Sequence, residues 1–223
     1  MAVEVGPVAV FGATGETGRR VVRTLQERGL AVRAVVRDRD RAAEIMPGVE
    51  VAIADVGDRA AVDRAIAGCR AVICATGARP SFDVTGPLRV DYLGTRNLVD
   101  AMKGAGINRL ILVSSMCVSN FFHPLNLFWL VLFWKQQAEA YIRESGLTYT
   151  IVRPGGLKNE DAPTPVVMAS ADTLFEGSIP RSQVAAVCVE ALECEASYGK
   201  TVEVVARPDA PARAIAELFA QTT

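Results

Sequence analysis

Histidine is all but missing from this chain of 223 residues: His123 is the only one. The five cysteines, Cys69, Cys74, Cys117, Cys188 and Cys194, are odd in number, scattered and without a C-x-x-C pair. These shortages argue against a zinc site and against a secreted disulfide framework, and leave buried thiols in a reducing compartment. No metal is expected. Neither sign of charge prevails, with 24 Lys and Arg against 25 Asp and Glu, so nothing calls for a nucleic acid. A bilayer-spanning run is lacking too. The most lipid-like stretch, 121–134, is interrupted by His123, Pro124 and Asn126, and it falls short of the ~18–20 apolar residues a span needs. Met1 leads straight into a strand-like segment, so no signal peptide is expected. The expectation is a cytoplasmic protein without a transmembrane segment, with peripheral membrane contact left open. Tyrosine occurs only four times, a scarcity that bears on the chemistry below.

Half of the residues are hydrophobic and 22% are charged, the balance of a globular chain. The length suits one domain with a full core. Short apolar, β-branched runs recur at 7–13, 31–37, 49–55, 71–76, 109–115, 149–154 and 201–206, several of them apolar on both faces. Amphipathic stretches lie between them. In 17–28, Val21, Val22 and Leu25 share one face, and Gly29 stands where the helix would stop. Asp58 is placed to cap another, carrying Ala61, Val62, Ala65 and Ile66 on one face. This alternation predicts an α/β, Rossmann-like fold: one domain with a doubly wound parallel sheet of about seven strands and helices on both faces.

The first run ends in Gly12-Ala13-Thr14-Gly15-Glu16-Thr17-Gly18 and enters a helix. Three glycines at this spacing serve a tight turn, a close backbone approach to a pyrophosphate, and close packing of helix on strand. Backbone N–H groups and the positive end of the helix dipole then face the phosphates, and the Thr14 and Thr17 hydroxyls can add to them. A turn of this composition can also hold nothing. Its place at the first strand–helix junction of an alternating chain assigns it to a dinucleotide.

In this spacing and context the sequence resembles the short-chain dehydrogenase/reductase superfamily, in its atypical and extended branches. The resemblance implies that the end of the second strand selects the nucleotide. Arg37 follows that strand and can face a 2′-phosphate, with Arg19 or Arg39 as helpers, whereas Asp38 would take the ribose of NAD if the strand ended one residue later. The reading is NADP(H) over NAD(H). Asp55-Val56 resembles the pair that holds the adenine ring, and Ala75-Thr76-Gly77 the turn that passes the ribose.

Reductases of this superfamily employ a serine, a tyrosine and a lysine, the last two as Y-x-x-x-K on one helical face. Ser114-Ser115 matches the serine position, Ser115 more closely for catalysis and Ser114 for cofactor contact. Lys135 falls at the lysine, but Val131 stands where the tyrosine belongs. Tyr92, Tyr141, Tyr149 and Tyr198 all have the wrong spacing. Lys135 is then left as proton donor or cofactor clamp.

The segments 127–135, 145–156 and 172–177 resemble a subgroup of cyanobacterial and plastid NAD(P)-binding proteins related to NmrA-like regulators, among them the dehydrogenase-like domain of a redox-sensing chloroplast translocon component. The resemblance implies cofactor contact at Glu16, Pro154 and Gly155, and a division into a cofactor core (1–120) and a part (121–223) with the lysine-bearing helix, a substrate-side loop and the last strand. Residues 157–181 show no clear period, and Asn159, Glu160 and Asp161 read as solvated loop. The run 121–134 reads chiefly as a buried helix, with a docking patch as the alternative. Two functions stand side by side: an oxidoreductase passing hydride to a small-molecule electron acceptor (quinone, flavin or small carbonyl), or a non-catalytic NADP(H) sensor or assembly protein meeting a protein partner at 121–134. The oligomeric state is not legible.

Overall fold

A computed structural model of the chain describes residues 6–78, 82–160, 162 and 164–223; Asp161 lies outside the described residues. The strands are β1 (Val8–Phe11), β2 (Val32–Val36), β3 (Glu50–Ile53), β4 (Ala71–Cys74), β5 (Arg109–Val113), β6 (Thr148–Pro154), β7 (Gly156–Lys158), β8 (Val166–Ser170), β9 (Ser178–Pro180) and β10 (Lys200–Ala206). The helices are α1 (Glu16–Glu27), α2 (Arg39–Ile45), α3 (Arg59–Ile66), α4 (Gly94–Ala105), α5 (Val131–Arg143), α6 (Arg181–Ala191) and α7 (Ile215–Gln221). A π-helical turn, Leu88–Leu93, leads into α4.

The main sheet has the order β3-β2-β1-β4-β5-β6-β10-β8. All its pairings are parallel except that of β8, which runs antiparallel to β10. Strand β1 shows why the central strands are apolar on both faces. Val8 and Val10 join one core with Val21, Val22 and Leu25 of α1, while Ala9 and Phe11 join a second core with residues of α3 and α4. The alternation of two side-chain directions along each strand thus feeds both layers. Asp58 caps α3 as its position implied, accepting the N–H of Ala61 at 3.1 Å. Strand order reverses between β1 and β4, and the crevice at such a reversal, outside the carboxyl ends of the strands, is where open α/β sheets take ligands.

Two features differ from the sequence reading. The sheet has eight strands rather than about seven, because the aperiodic segment 157–181 contains β8 at the sheet edge, besides β7 and β9, which pair separately. All five residues of β8 are half-buried, so neither face is dry enough to impose an alternating pattern. The second difference is the run 121–134. Helix α5 begins only at Val131, and Phe121, Phe122, Leu125, Leu127, Phe128, Trp129 and Leu130 lie exposed around a short 3₁₀ turn, Phe122 to 93%. Asn126 holds this loop to the helix, its buried side-chain oxygen accepting the N–H groups of Leu132 and Phe133. The run is therefore a surface loop followed by a helix, not a buried helix. Among the described residues no helix is long and apolar enough to cross a membrane.

Candidate functional site

The glycine turn is built as its spacing requires. Gly12 has φ +74°, and a Cβ there would lie 2.7 Å from the carbonyl oxygen of Ala75, so the turn presses against the end of β4. A Cβ on Gly18 would lie 2.1 Å from the Gly12 carbonyl oxygen, so α1 can start this close to β1 only with glycine there. Beside the turn opens a cavity of about 320 Å³. Its walls include Gly12, Thr14 and Gly15 of the turn, Arg37 after β2, Asp55 and Val56 after β3, and Ala75, Thr76 and Gly77 after β4. Four strand ends named from sequence thus converge on one crevice.

At the end of β2 the two candidate side chains have separate tasks. Asp38 caps α2, its Oδ1 accepting the N–H groups of Asp40 at 3.0 Å and Arg41 at 3.1 Å. Arg37 lines the cavity, 69% exposed, with Nη1 3.9 Å from Asp55 Oδ2. Of the two possible helpers, Arg19 is paired with Glu16 at 2.6 Å and Arg39 is exposed in the first turn of α2. Glu16, Thr17 and Gly18 form the first turn of α1 and do not line the cavity. The Arg20 hydrogen bond to Glu16, helped by the charges of Arg19, Arg20 and Arg181, holds that carboxyl below its ordinary range.

Thr76 also lines a neighbouring pocket of about 10 Å³, together with Asp91, Thr95, Ser114 and Lys135. Lys135 Nζ lies 2.8 Å from Asp91 Oδ1, and the Asp91 side chain is 1% exposed. Burial works against the ammonium, but the charge and hydrogen bond of Asp91, with smaller help from Cys74 and Glu139, raise its pKa above the ordinary lysine range. Lys135 is therefore a fixed cation at neutral pH, suited to holding an oxygen rather than to releasing a proton. Asp91 Oδ2 also accepts the N–H of Ala78 at 3.2 Å, which ties the turn after β4 to the lysine. Asp91 was not among the residues read from the sequence; it sits in the π-helical turn, a helical distortion frequent at functional sites.

Ser114 is buried and faces the pocket, whereas Ser115 is half-buried, donates to the carbonyl of Met116 at 3.2 Å, and lines neither cavity. Pro154 and Gly155 lie at the end of β6, also away from both cavities, with the Gly155 N–H bonded to the Val204 carbonyl at 3.0 Å.

A family model described as NAD(P)H-binding matches residues 12–195. The chain belongs to that NAD(P)H-binding family. An uncharacterized chloroplastic protein of Arabidopsis thaliana is 48% identical over 98% of this chain and 83% of its own length. Protein TIC 62 of the same plant, also chloroplastic, is 39% identical over 95% of this chain, which spans only 37% of that protein. Sanguinarine reductase of Eschscholzia californica is 30% identical, with 97% of this chain and 96% of that protein covered. Among solved structures, a putative NAD-dependent epimerase/dehydratase from Bacillus halodurans superposes with a TM-score of 0.87 at 28% identity, over 97% of this chain and all of that one. These likenesses bear out the resemblance to plastid proteins and to the short-chain dehydrogenase/reductase group.

Proposed function

We propose that this protein is an NADP(H)-dependent reductase of the atypical short-chain type, passing hydride to an acceptor that needs little help with protonation, such as a quinone, a flavin or a small carbonyl compound. The observation that carries the reading is the Lys135–Asp91 pair, 2.8 Å apart, with Asp91 buried and Lys135 half-buried, in a pocket that shares Thr76 with the nucleotide crevice. An ion pair with its carboxylate buried is weak as a source of stability, so its place at the reaction end speaks for function. The crevice residues fit a dinucleotide: Gly12 and Gly18 leave room for backbone that a Cβ would fill, and the Gly15 region opens the start of α1 to the pyrophosphate. Bound there, the nucleotide supplies the hydride.

Arg37 favours the phosphorylated nucleotide. It follows β2 directly and lines the cavity, while the one carboxylate that could serve NAD instead, Asp38, is engaged as a helix cap. Lys135 holds the nicotinamide ribose in this reading, and Ser115 orients the acceptor only if the acceptor reaches beyond the small pocket. Sanguinarine reductase, similar over nearly its whole length, supports a reductase over a purely structural protein. The test is NADPH oxidation by the purified protein across quinones, flavins and aldehydes, with Lys135→Met alongside. Acceptor-dependent turnover that the variant loses is expected; NADPH binding with equal turnover in both proteins contradicts the role of Lys135.

A second reading is favoured by the exposed apolar loop 121–130, which carries seven exposed large side chains. In it the protein is an NADP(H) sensor or assembly factor, and this loop meets a protein partner or a membrane surface. Binding of NADPH without turnover on any acceptor, together with partner capture lost on Phe122→Ser, would favour it.

A further inference from the structure

The proton of the Ser114 hydroxyl is already committed. Ser114 Oγ donates to Glu139 Oε1 at 2.6 Å, and both side chains are buried. Glu139 stands one helical turn beyond Lys135 on α5 and takes only donors: Arg153 Nε at 3.0 and 3.2 Å, Arg153 Nη2 at 2.7 Å, and Arg143 Nη2 at 2.6 Å. A carboxylate held by two guanidinium groups has no proton to return. Arg153 is gripped from its other side by Asp172 at 2.8 Å and faces Glu203 at 3.6 Å, whose second oxygen accepts the N–H groups of Thr173 and Leu174. Burial opposes the Arg153 charge, but Glu139 and Asp172 more than reverse that, and its pKa lies above the ordinary arginine value.

The other buried arginine makes the contrast. Arg109 donates to carbonyl and hydroxyl oxygens, those of Thr148, Thr150 and Ser197 among them, and lies 4.5 Å from the centre of the Tyr198 ring; among the described residues it has no carboxylate partner, and burial pulls its pKa down to about 10. Carboxylates are gathered about Arg153 and not about Arg109, and Ser114 leans on the cluster. Buried ionic groups are often no better for stability than apolar packing, and fixing a single arrangement is their best-attested use.

The pocket wall repeats the polarity. Thr95 Oγ1 donates to the Asp91 carbonyl at 2.7 Å, as Ser114 does to Glu139. A hydroxyl that has given its proton to the protein offers a ligand only lone pairs. Apart from the Lys135 ammonium, Asp91, Thr95 and Ser114 thus ask for a ligand group that donates.

We propose that Ser114 is a hydrogen-bond acceptor for the nicotinamide nucleoside, turned that way by Glu139 and Arg153 as positioning residues, and not a donor to the group being reduced. The inference rests on the nucleotide reading above. The nucleoside has donors of two kinds, its ribose hydroxyls and its carboxamide N–H.

The test is titration of NADP⁺, of its 3-acetylpyridine analogue, which lacks the carboxamide N–H, and of 2′,5′-ADP, which lacks the nicotinamide nucleoside. Ser114→Ala weakens NADP⁺ about threefold to tenfold, the value of one neutral hydrogen bond, and leaves 2′,5′-ADP unchanged. Glu139→Gln keeps its carbonyl on Arg153 and turns its NH₂ to Ser114, which swings the hydroxyl proton into the pocket. NADP⁺ then weakens by a similar factor although the hydroxyl remains, an effect that simple loss of packing would not confine to NADP⁺. If the carboxamide is the donor, the analogue binds weakly to the unaltered protein and ignores Ser114→Ala; if a ribose hydroxyl is, the analogue loses as much as NADP⁺. The proposal is overturned if Ser114→Ala leaves NADP⁺ unaffected or weakens 2′,5′-ADP equally, or if Glu139→Gln with normal 2′,5′-ADP binding also binds NADP⁺ normally. Failure of the unaltered protein to bind either nucleotide would instead remove the nucleotide reading.

Discussion

In the proposed reading the crevice has an adenosine half and a nicotinamide half, held by different means. The adenosine half is made of backbone and open side chains: Gly12 against Ala75, α1 set close by Gly18, and an exposed Arg37 whose nearest carboxylate is 3.9 Å away. The nicotinamide half is made of largely buried ion pairs, the half-buried Lys135 with Asp91 and the buried Arg153 with Glu139, recruited from separate elements. A phosphate chain needs only N–H groups and room, which local turn geometry supplies. Orienting a reacting ring needs side chains fixed in one rotamer, and buried ion pairs and hydrogen bonds supply that. In the proposed reading the exposed half selects the nucleotide, and the buried half fixes how it lies.

Substitutions can break that comparison. Gly18→Ala should have the largest effect, because its Cβ would meet the Gly12 carbonyl oxygen at 2.1 Å and drive α1 from β1. Calorimetric titration should show binding of NADPH, NADH and 2′,5′-ADP lost together, in a protein whose circular dichroism shows that it still folds. Retained affinity would mean that the phosphates are bound elsewhere. Arg37→Ala should act on one nucleotide only. It removes a charge-assisted bond worth about 1.5–3 kcal/mol, so NADPH should weaken roughly tenfold to a hundredfold while NADH hardly changes. Equal losses for both would sink the 2′-phosphate assignment.

The adenosine half was legible in the sequence because each of its parts is contiguous: 12–18, Arg37, Asp55-Val56 and 75–77 are short strand-end signatures, and all but Ala13 and the first helical turn line the cavity. The rival roles of Arg37 and Asp38 were separated only by the structure, since the choice depends on where β2 ends and α2 begins. The nicotinamide half was legible only in Lys135 and Ser114, since Ser115 lines neither cavity. Asp91 belongs to no local pattern, and its partner Lys135 comes from a later helix. Glu139 did leave a signal, lying four residues after Lys135 on the same helical face, but its partner Arg153 is a strand residue whose burial composition does not reveal. The run 121–134 misled for a related reason: continuous apolarity has no period that separates a buried helix from an exposed loop.

The most direct test of one dinucleotide phosphate spanning both halves is a crystal structure of the complex with NADP⁺. It should show the 2′-phosphate within hydrogen-bond distance of Arg37 and the nicotinamide nucleoside beside Lys135 and Ser114. A 2′-phosphate turned to solvent away from Arg37, with the nicotinamide end remote from Lys135, would contradict the account.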